Sequence, residues 1–389
     1  MILGLVMALA LGEVTALLEK LAPLEYAESW DNVGLLLEPA EDRVAPGAPP
    51  SVRRVMLLVD FTERVLAEAL ERDVDLVCAY HPPIFEPLKR LRATAPNERV
   101  ALSAARAGLA VYSPHTALDA APGGVNDWLA EALGKGARRP LSAVHRADPG
   151  GDYKLVVFVP AEHVEALRSA LAEAGAGVIG DYTECSYELA GSGTFLGGSA
   201  TNPVVGERGR LERVSETRLE MVCPREALPR AREALERVHP YEEPAWDIYP
   251  LVEKPAPGFG AGRAVELDEP ALFGALVERI KAHIGRSWVR VAAAERHANG
   301  APVRSAAVCA GAGGGFVAEA RGRDVYLTGE LRHHDVLGLL ARGTSVVLCE
   351  HSSSERGYLR VLAERMRASA GGALEVVISV ADRDPVAIG

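Results

Sequence analysis

Val55-Met-Leu-Leu-Val-Asp60, the helically spaced stretch 63–72 and the second apolar run Asp75-Leu-Val-Cys-Ala-Tyr80 decide the fold. Two continuous apolar runs flanking an amphipathic stretch predict strand, helix, strand, the unit from which parallel sheets are built. The pattern continues outward with helices over 97–107 and 123–132 around the short apolar run Leu109-Ala-Val-Tyr112. It returns late in the chain as helix 271–284, strand 304–309, helix 316–321, strand 324–328, helix 334–341 and strand 345–348. The fold class expected is therefore α/β: a two-part layer domain interrupted by an insertion.

Gly/Pro-rich breaks at Asp148-Pro-Gly-Gly151 and Lys254-Pro-Ala-Pro-Gly258 bound that insertion. Between them, 153–159 is strand-like, 163–174 helical, and 180–188 and 194–198 strand-like; then 218–223 is strand-like, 226–238 helical and 245–251 strand-like. The order β-α-β-β-α-β is ferredoxin-like. The expected division is 1–149 and 256–389 for the two halves of the outer α/β domain, and 150–255 for the inserted α+β domain.

The 389 residues are 48 % hydrophobic, enough for two or three separate cores. Lys and Arg number 42 against 53 Asp and Glu, a formal charge of −11, so a nucleic-acid backbone is not an expected partner. Five scattered cysteines with no Cys-x-x-Cys pair exclude a zinc ribbon and fit a reducing compartment, hence a cytoplasmic location. The apolar run Ile2 to Leu11 has no basic residue before Lys20 and falls short of the roughly 20 residues a membrane helix needs. It reads as the lead-in to a helix, and no membrane association is expected.

Three clusters of potential ligands stand where strands end, which is where open α/β sheets place their sites. His81 follows the 75–80 run, and Pro82 and Pro83 deny it a helix. Ser113-Pro-His115-Thr-Ala-Leu-Asp119 follows the next strand, and Cys349-Glu-His351-Ser-Ser-Ser-Glu355 the last. A helix begun at Ser352 would put His351 and Glu355 four apart on one face. Imidazole and carboxylate without thiolate suit a hard or borderline divalent ion: Zn, Fe, Mn, Mg or Ni. A carboxylate can bridge two such ions at roughly 3.5–4 Å, and Asp119 and Glu355 are the candidates. A single histidine of this kind more often caps a strand or makes a core hydrogen bond; three at equivalent positions outweigh that reading.

A fourth segment, Thr328-Gly-Glu330-Leu-Arg-His-His334-Asp335, offers Glu330 and His334 four apart as acid/base or ligand-orienting groups. The alternative there is a helix start with Asp335 favoured by the dipole. Cys309-Ala-Gly-Ala-Gly-Gly-Gly-Phe316 is a tight turn or a phosphate cradle, without a Walker pattern. His239-Pro-Tyr-Glu-Glu-Pro244 reads as a Pro-bounded loop, with a rim ligand as the alternative. No Gly-x-Ser-x-Gly elbow is present, so covalent serine chemistry is not expected.

Glu28-Ser-Trp-Asp-Asn-Val-Gly-Leu-Leu-Leu37, Tyr80-His-Pro-Pro-Ile-Phe85, the His115 to Asp127 stretch, Thr328 to Asp335 and His351-Ser-Ser-Ser-Glu-Arg-Gly357 resemble, in order, the motifs of a dinuclear-metal family. That family is the GTP cyclohydrolase 1 type 2 homologs, also called NGG-interacting-factor-three-like. The insertion is similar to the PII-like or CutA-like domain of its longer members, His-Pro-Tyr-Glu-Glu-Pro included. The resemblance implies a homohexamer, with two divalent metal ions per chain facing an internal cavity. It carries the ligand roles to His81, Asp119, His351 and Glu355, with His115 a close neighbour. Many members have two successive histidines where this chain has Tyr80 and His81, which implies one tight and one weak metal site. The implied activity is metal-dependent hydrolysis of a nucleotide or other phosphorylated small molecule, with His115, His334 or Glu330 moving protons. The other reading is a non-enzymatic metal-binding regulator or adaptor whose insertion senses a ligand.

Overall fold

A computed structural model describes residues 8–387 apart from 44, 46 and 147–150. Residues 2–7 of the N-terminal apolar run and the expected boundary at 149/150 lie outside the described residues. The chain folds as two compact units, one of Met1–Val144 with Pro257–Gly389 and one of His145–Ala256.

The outer unit holds two sheets. In the first, Glu375–Ile378, Arg54–Leu58, Leu76–Ala79 and Ala110–Ser113 run parallel in that order, and Gly34–Leu37 closes the edge antiparallel. In the second, Val303–Ala312, Val325–Glu330 and Ser345–Leu348 are the parallel centre. Arg290–Ala292 flanks it on one side, and Arg263–Ala271 then Gly136–Arg139 on the other, all antiparallel. Each segment lends a strand to the other's sheet: Glu375–Ile378 sits beside Arg54–Leu58, and Gly136–Arg139 beside Arg263–Ala271. The parallel arrangement matches the expectation; the antiparallel edges, made of short or charge-rich strands such as Gly-Ala-Arg-Arg139, carry no apolar run to announce them.

Alternation along the central strands explains their continuous apolarity, since both faces are covered. Leu57, Leu76 and Cys78 of the first sheet share one core with Val308, Leu327 and Val347 of the second. The apolar stripes of helices Leu11–Leu21, Phe273–Ile284 and Tyr358–Ser369 complete it. The opposite faces have cores of their own: Met56, Leu58 and Val77 with helices Glu63–Glu71 and Pro96–Arg106, and Ala307, Tyr326 and Val346 with Leu339 of helix His333–Leu340.

The inserted unit is a four-stranded antiparallel sheet in the order Ser186–Leu196, Leu211–Cys223, Tyr153–Val159, Trp246–Pro250. Second, third, first, fourth is the ferredoxin-like order, and helices Val164–Glu173 and Leu228–Val238 share its core through Leu167, Leu171 and Leu235. One expectation needs correction. The strand-like stretches 180–188 and 194–198 are joined in one strand, Ser186–Leu196, which takes in only the end of the first and the start of the second, and its partner starts at Leu211 rather than 218. Gly191-Ser-Gly193 breaks the side-chain pattern but not the ladder, which is unbroken from Ser186–Met221 to Leu196–Leu211. The Pro/Gly run at 254–258 is likewise strand, within Lys254–Ala261, paired among the described residues with Ser142–Arg146 alone; prolines are tolerated where one side of a strand is unpaired. Among the described residues no helix is long and apolar enough to cross a membrane.

Candidate metal centre

The strand Leu76–Ala79 is the middle of the first sheet, and its ladder continues one step further, with the His81 N–H donating to the Val59 carbonyl at 3.1 Å. His81 therefore leaves the sheet at a fixed point. In the second sheet Ser345–Leu348 ends at Cys349, whose N–H reaches the Thr328 carbonyl at 2.9 Å. The short helix Ser353–Arg356 follows and returns Glu355 beneath His351. Nε2 of His351 lies 3.1 Å from Oε1 of Glu355, and Nε2 of His81 lies 3.5 Å from Oε2. The three ligand atoms stand within 4.8 Å of one another.

Each imidazole is turned by a carboxylate on its other nitrogen. Asp60 Oδ1 is 2.9 Å from Nδ1 of His81, and Glu330 Oε1 is 3.0 Å from Nδ1 of His351. Burial opposes a charged His81, but Asp60 and Glu355 outweigh it and raise the ring to about 10. Glu355 raises His351 to about 9, also against burial. Glu355 itself is 3 % exposed, and burial alone would push it up; His351 and His81 hold it below the usual carboxylate range.

The donor set fits a divalent cation. Glu355 Oε2 is buried with no hydrogen-bond partner, an arrangement that costs free energy unless a cation completes it. Space is kept beside it by Gly311, at φ +63, where an added Cβ would lie 2.7 Å from Glu355 Oε1 and 3.2 Å from His351 Nε2. The glycine turn 309–316 thus serves close approach: Gly311 donates to Ser354 Oγ at 2.8 Å, and Ala310 to Asn126 Oδ1 at 2.8 Å. Two residues next to the donors hold the left-handed backbone region that non-glycine residues avoid, His115 at φ +27 and Glu350 at φ +65. Such conformations concentrate at functional sites.

The remaining sequence candidates divide. Asp119 Oδ1 accepts the hydroxyl of the buried Tyr80, and burial pushes its carboxyl up to about 6. The structure thus pairs Asp119 with Tyr80, and among the described residues the cluster with metal-ligand spacing is His81, His351 and Glu355. His115 lies 5.5 Å from His81 and 5.7 Å from Tyr80 between ring centres, with Nδ1 held by Asp31 at 2.8 Å. Glu330 orients His351, while His334 is exposed and packs against His333. His239 is a structural group: Nε2 reaches the Phe158 carbonyl at 3.0 Å and Nδ1 accepts the Tyr241 N–H at 3.1 Å.

Sequence reasoning missed the roles of Asp60, Asp31 and Gly311. Asp60 was the legible one, being the polar residue that ends the Val55 run at the same sheet edge as His81. It also missed two aromatic side chains beside the donors. Trp30 and Phe85 are 60 % and 47 % exposed, stand 6.0 Å apart and lie 6.2 and 6.5 Å from the His115 ring. Asn32 ties their loops together through its bond to the Ile84 carbonyl at 2.6 Å.

Comparison with known proteins places these residues in context. The family profile Duf34/NIF3 (NGG1p interacting factor 3) matches residues 9–385. NIF3-like protein 1 of Bos taurus is 36 % identical over 385 residues, covering 96 % of this chain and 92 % of the relative. The GTP cyclohydrolase 1 type 2 homolog of Bacillus subtilis is 36 % identical over 337 residues, 86 % of each chain. A solved Bacillus cereus protein related to NIF3 superposes with a TM-score of 0.66 at 30 % identity, over 97 % of this chain and 98 % of that one.

Proposed function

This chain belongs to the Duf34/NIF3 family, and from its donor geometry we propose that it is a divalent-metal-dependent hydrolase acting on a nucleotide or a related phosphorylated small molecule. The observation that carries the reading is the unpartnered Oε2 of buried Glu355, facing His81 within a set of three ligand atoms. His81, His351 and Glu355 would hold the ion, which supplies Lewis acidity toward water and toward a carbonyl or phosphoryl oxygen. Asp60 and Glu330 hold the two rings so that each Nε2 faces Glu355. Asp31 occupies Nδ1 of His115 and leaves Nε2 as the atom that takes or gives a proton. Tyr80 donates its hydroxyl to Asp119 in a buried bond, and the pair forms a polar wall beside the donors. A second, weaker ion at that wall, and assembly into a homohexamer, belong to the same proposal.

The aromatic pair supports a nucleotide over a simple phosphoester. Two large exposed rings beside the donors expose apolar area that a planar base would cover by stacking, typically worth about 1–3 kcal/mol per base. The test is metal content of the purified chain and turnover of nucleotide and phosphoester panels under that metal, with Glu355→Ala and His351→Ala alongside. Metal and turnover lost together in folded variants is the expected result. Metal bound without turnover on any panel member overturns the hydrolase reading and leaves a metal-binding regulator.

A further inference from the structure

We propose that the inserted unit carries a binding site of its own, a pocket for an organic cation with an apolar body. The pocket has a volume of about 430 Å³ and is lined wholly by residues of the ferredoxin-like fold, from strands Tyr153–Val159, Ser186–Leu196 and Leu211–Cys223, the connection after Leu196, and the His239–Pro244 loop. That volume lies within the usual range for small-molecule sites.

Its walls are apolar and aromatic: Phe158, Phe195, Val204, Val214 and Tyr241. Its charged groups are all carboxylates, Glu216, Glu242 and Glu243, and among the described residues no lysine, arginine or histidine lines it. Arg218, whose guanidinium lies 5.9 Å from the Phe158 ring centre, is engaged by Glu220 at 2.8 Å. A phosphate or carboxylate ligand would thus meet three like charges and no counter-charge. An ammonium group would meet carboxylates and the faces of aromatic rings, both of which attract it.

Glu242 and Glu216 are held in place by their neighbours. Glu242 Oε1 accepts the Asn202 N–H at 2.7 Å, tying the loop to the connection opposite. Tyr241 stands beside Glu216, and burial together with that carboxylate pushes the phenol up to about 12. Behind them the neutral His239 fixes the turn through its bonds to the Phe158 carbonyl and the Tyr241 N–H. The absence of a side chain at Gly193 leaves room for the Glu216 carboxylate, which a Cβ there would strike. The His-Pro-Tyr-Glu-Glu-Pro stretch thereby acquires a purpose that is independent of the metal centre.

The experiment is calorimetric titration of the full chain with phenethylamine, against 2-phenylethanol and phenylacetate as neutral and anionic controls on the same ring. Phenethylamine alone should bind, weakening about tenfold in Glu216→Gln or Glu242→Gln, the loss of roughly one charge-assisted contact. Added salt should weaken it as well. Equal binding of the three probes would show a merely apolar cleft and overturn the proposal. So would absence of phenethylamine binding at millimolar concentration, or binding unchanged in both variants. Thermal melting of each variant separates lost recognition from lost fold.

Discussion

Asp60 Oδ1 lies 2.9 Å from Nδ1 of His81, on the opposite side of the ring from Glu355. A carboxylate there fixes which nitrogen is free to donate its lone pair and raises the basicity of the ring. Asp60→Asn keeps the shape and removes the charge. Divalent-metal affinity should fall about 10- to 100-fold with the fold intact. Competition against a fluorescent chelator, with circular dichroism as the control, reads both.

Gly311 lies behind Glu355, and its positive φ and its closeness to Oε1 are separate demands. Gly311→Ala meets neither. The left-handed backbone alone costs roughly 1–2 kcal/mol for a residue with a Cβ. The larger effect is local, since the new methyl occupies the space that Glu355 and His351 share. Bound metal should be lost from a protein that still melts cooperatively a few degrees lower. Elemental analysis and a thermal melt on one sample test it, and a variant with full metal content would contradict the close-approach argument.

The fold was legible wherever burial on two faces forced continuous apolar runs, as at Val55 to Val59 and Ser345 to Leu348. It was not legible at strands whose side chains face water or carry charge, such as Gly136–Arg139, and the exposed strand Ser186–Leu196 was read only in two pieces, because pairing there is a backbone property. At the metal centre, His81, His351 and Glu355 could be proposed from strand-end position and helical spacing. The pairing of Asp119 with Tyr80 could not, since it depends on how helix His115–Ala120 is set against the end of strand Leu76–Ala79. For Glu330 an orienting role was legible, but not that His351 is the ring it holds, which requires the second sheet to bring residue 330 beside 351.

Arg263 is 2 % exposed and holds the two segments of the outer unit together. Its Nε and Nη2 reach Asp127 at 2.7 and 2.9 Å, and its remaining N–H groups reach the carbonyls of Ala121, Gly260 and Gly262. Arg263→Met fills similar volume but strands a carboxylate and three carbonyls. Removing one partner of a buried pair typically costs about 3–5 kcal/mol. Urea unfolding should show that loss, and the double variant Asp127→Asn with Arg263→Met should lose less than the sum of the two single losses, because each single change strands the other's partner.

Glu68 clamps the C-terminal segment onto helix Glu63–Glu71. Its carboxylate accepts the Ser379 hydroxyl, the Val380 and Ala381 N–H groups at 3.1 and 2.9 Å, and Arg72 at 2.8 Å. Burial would push it up, but these four donors outweigh burial and lower it from 4.5 to about 2. A carboxylate depressed by folding stabilises the folded state above its unfolded pKa, and that contribution is lost as protons return. The window here runs from about 4.5, where loss begins, down to about 2, where it is complete. The shift corresponds to roughly 3 kcal/mol at neutral pH. Glu68→Gln should therefore be less stable than wild type at pH 7, and the gap should narrow as pH falls through this window. Urea midpoints of the pair across that range test it, and a gap that stays constant with pH would show that the clamp is steric rather than electrostatic.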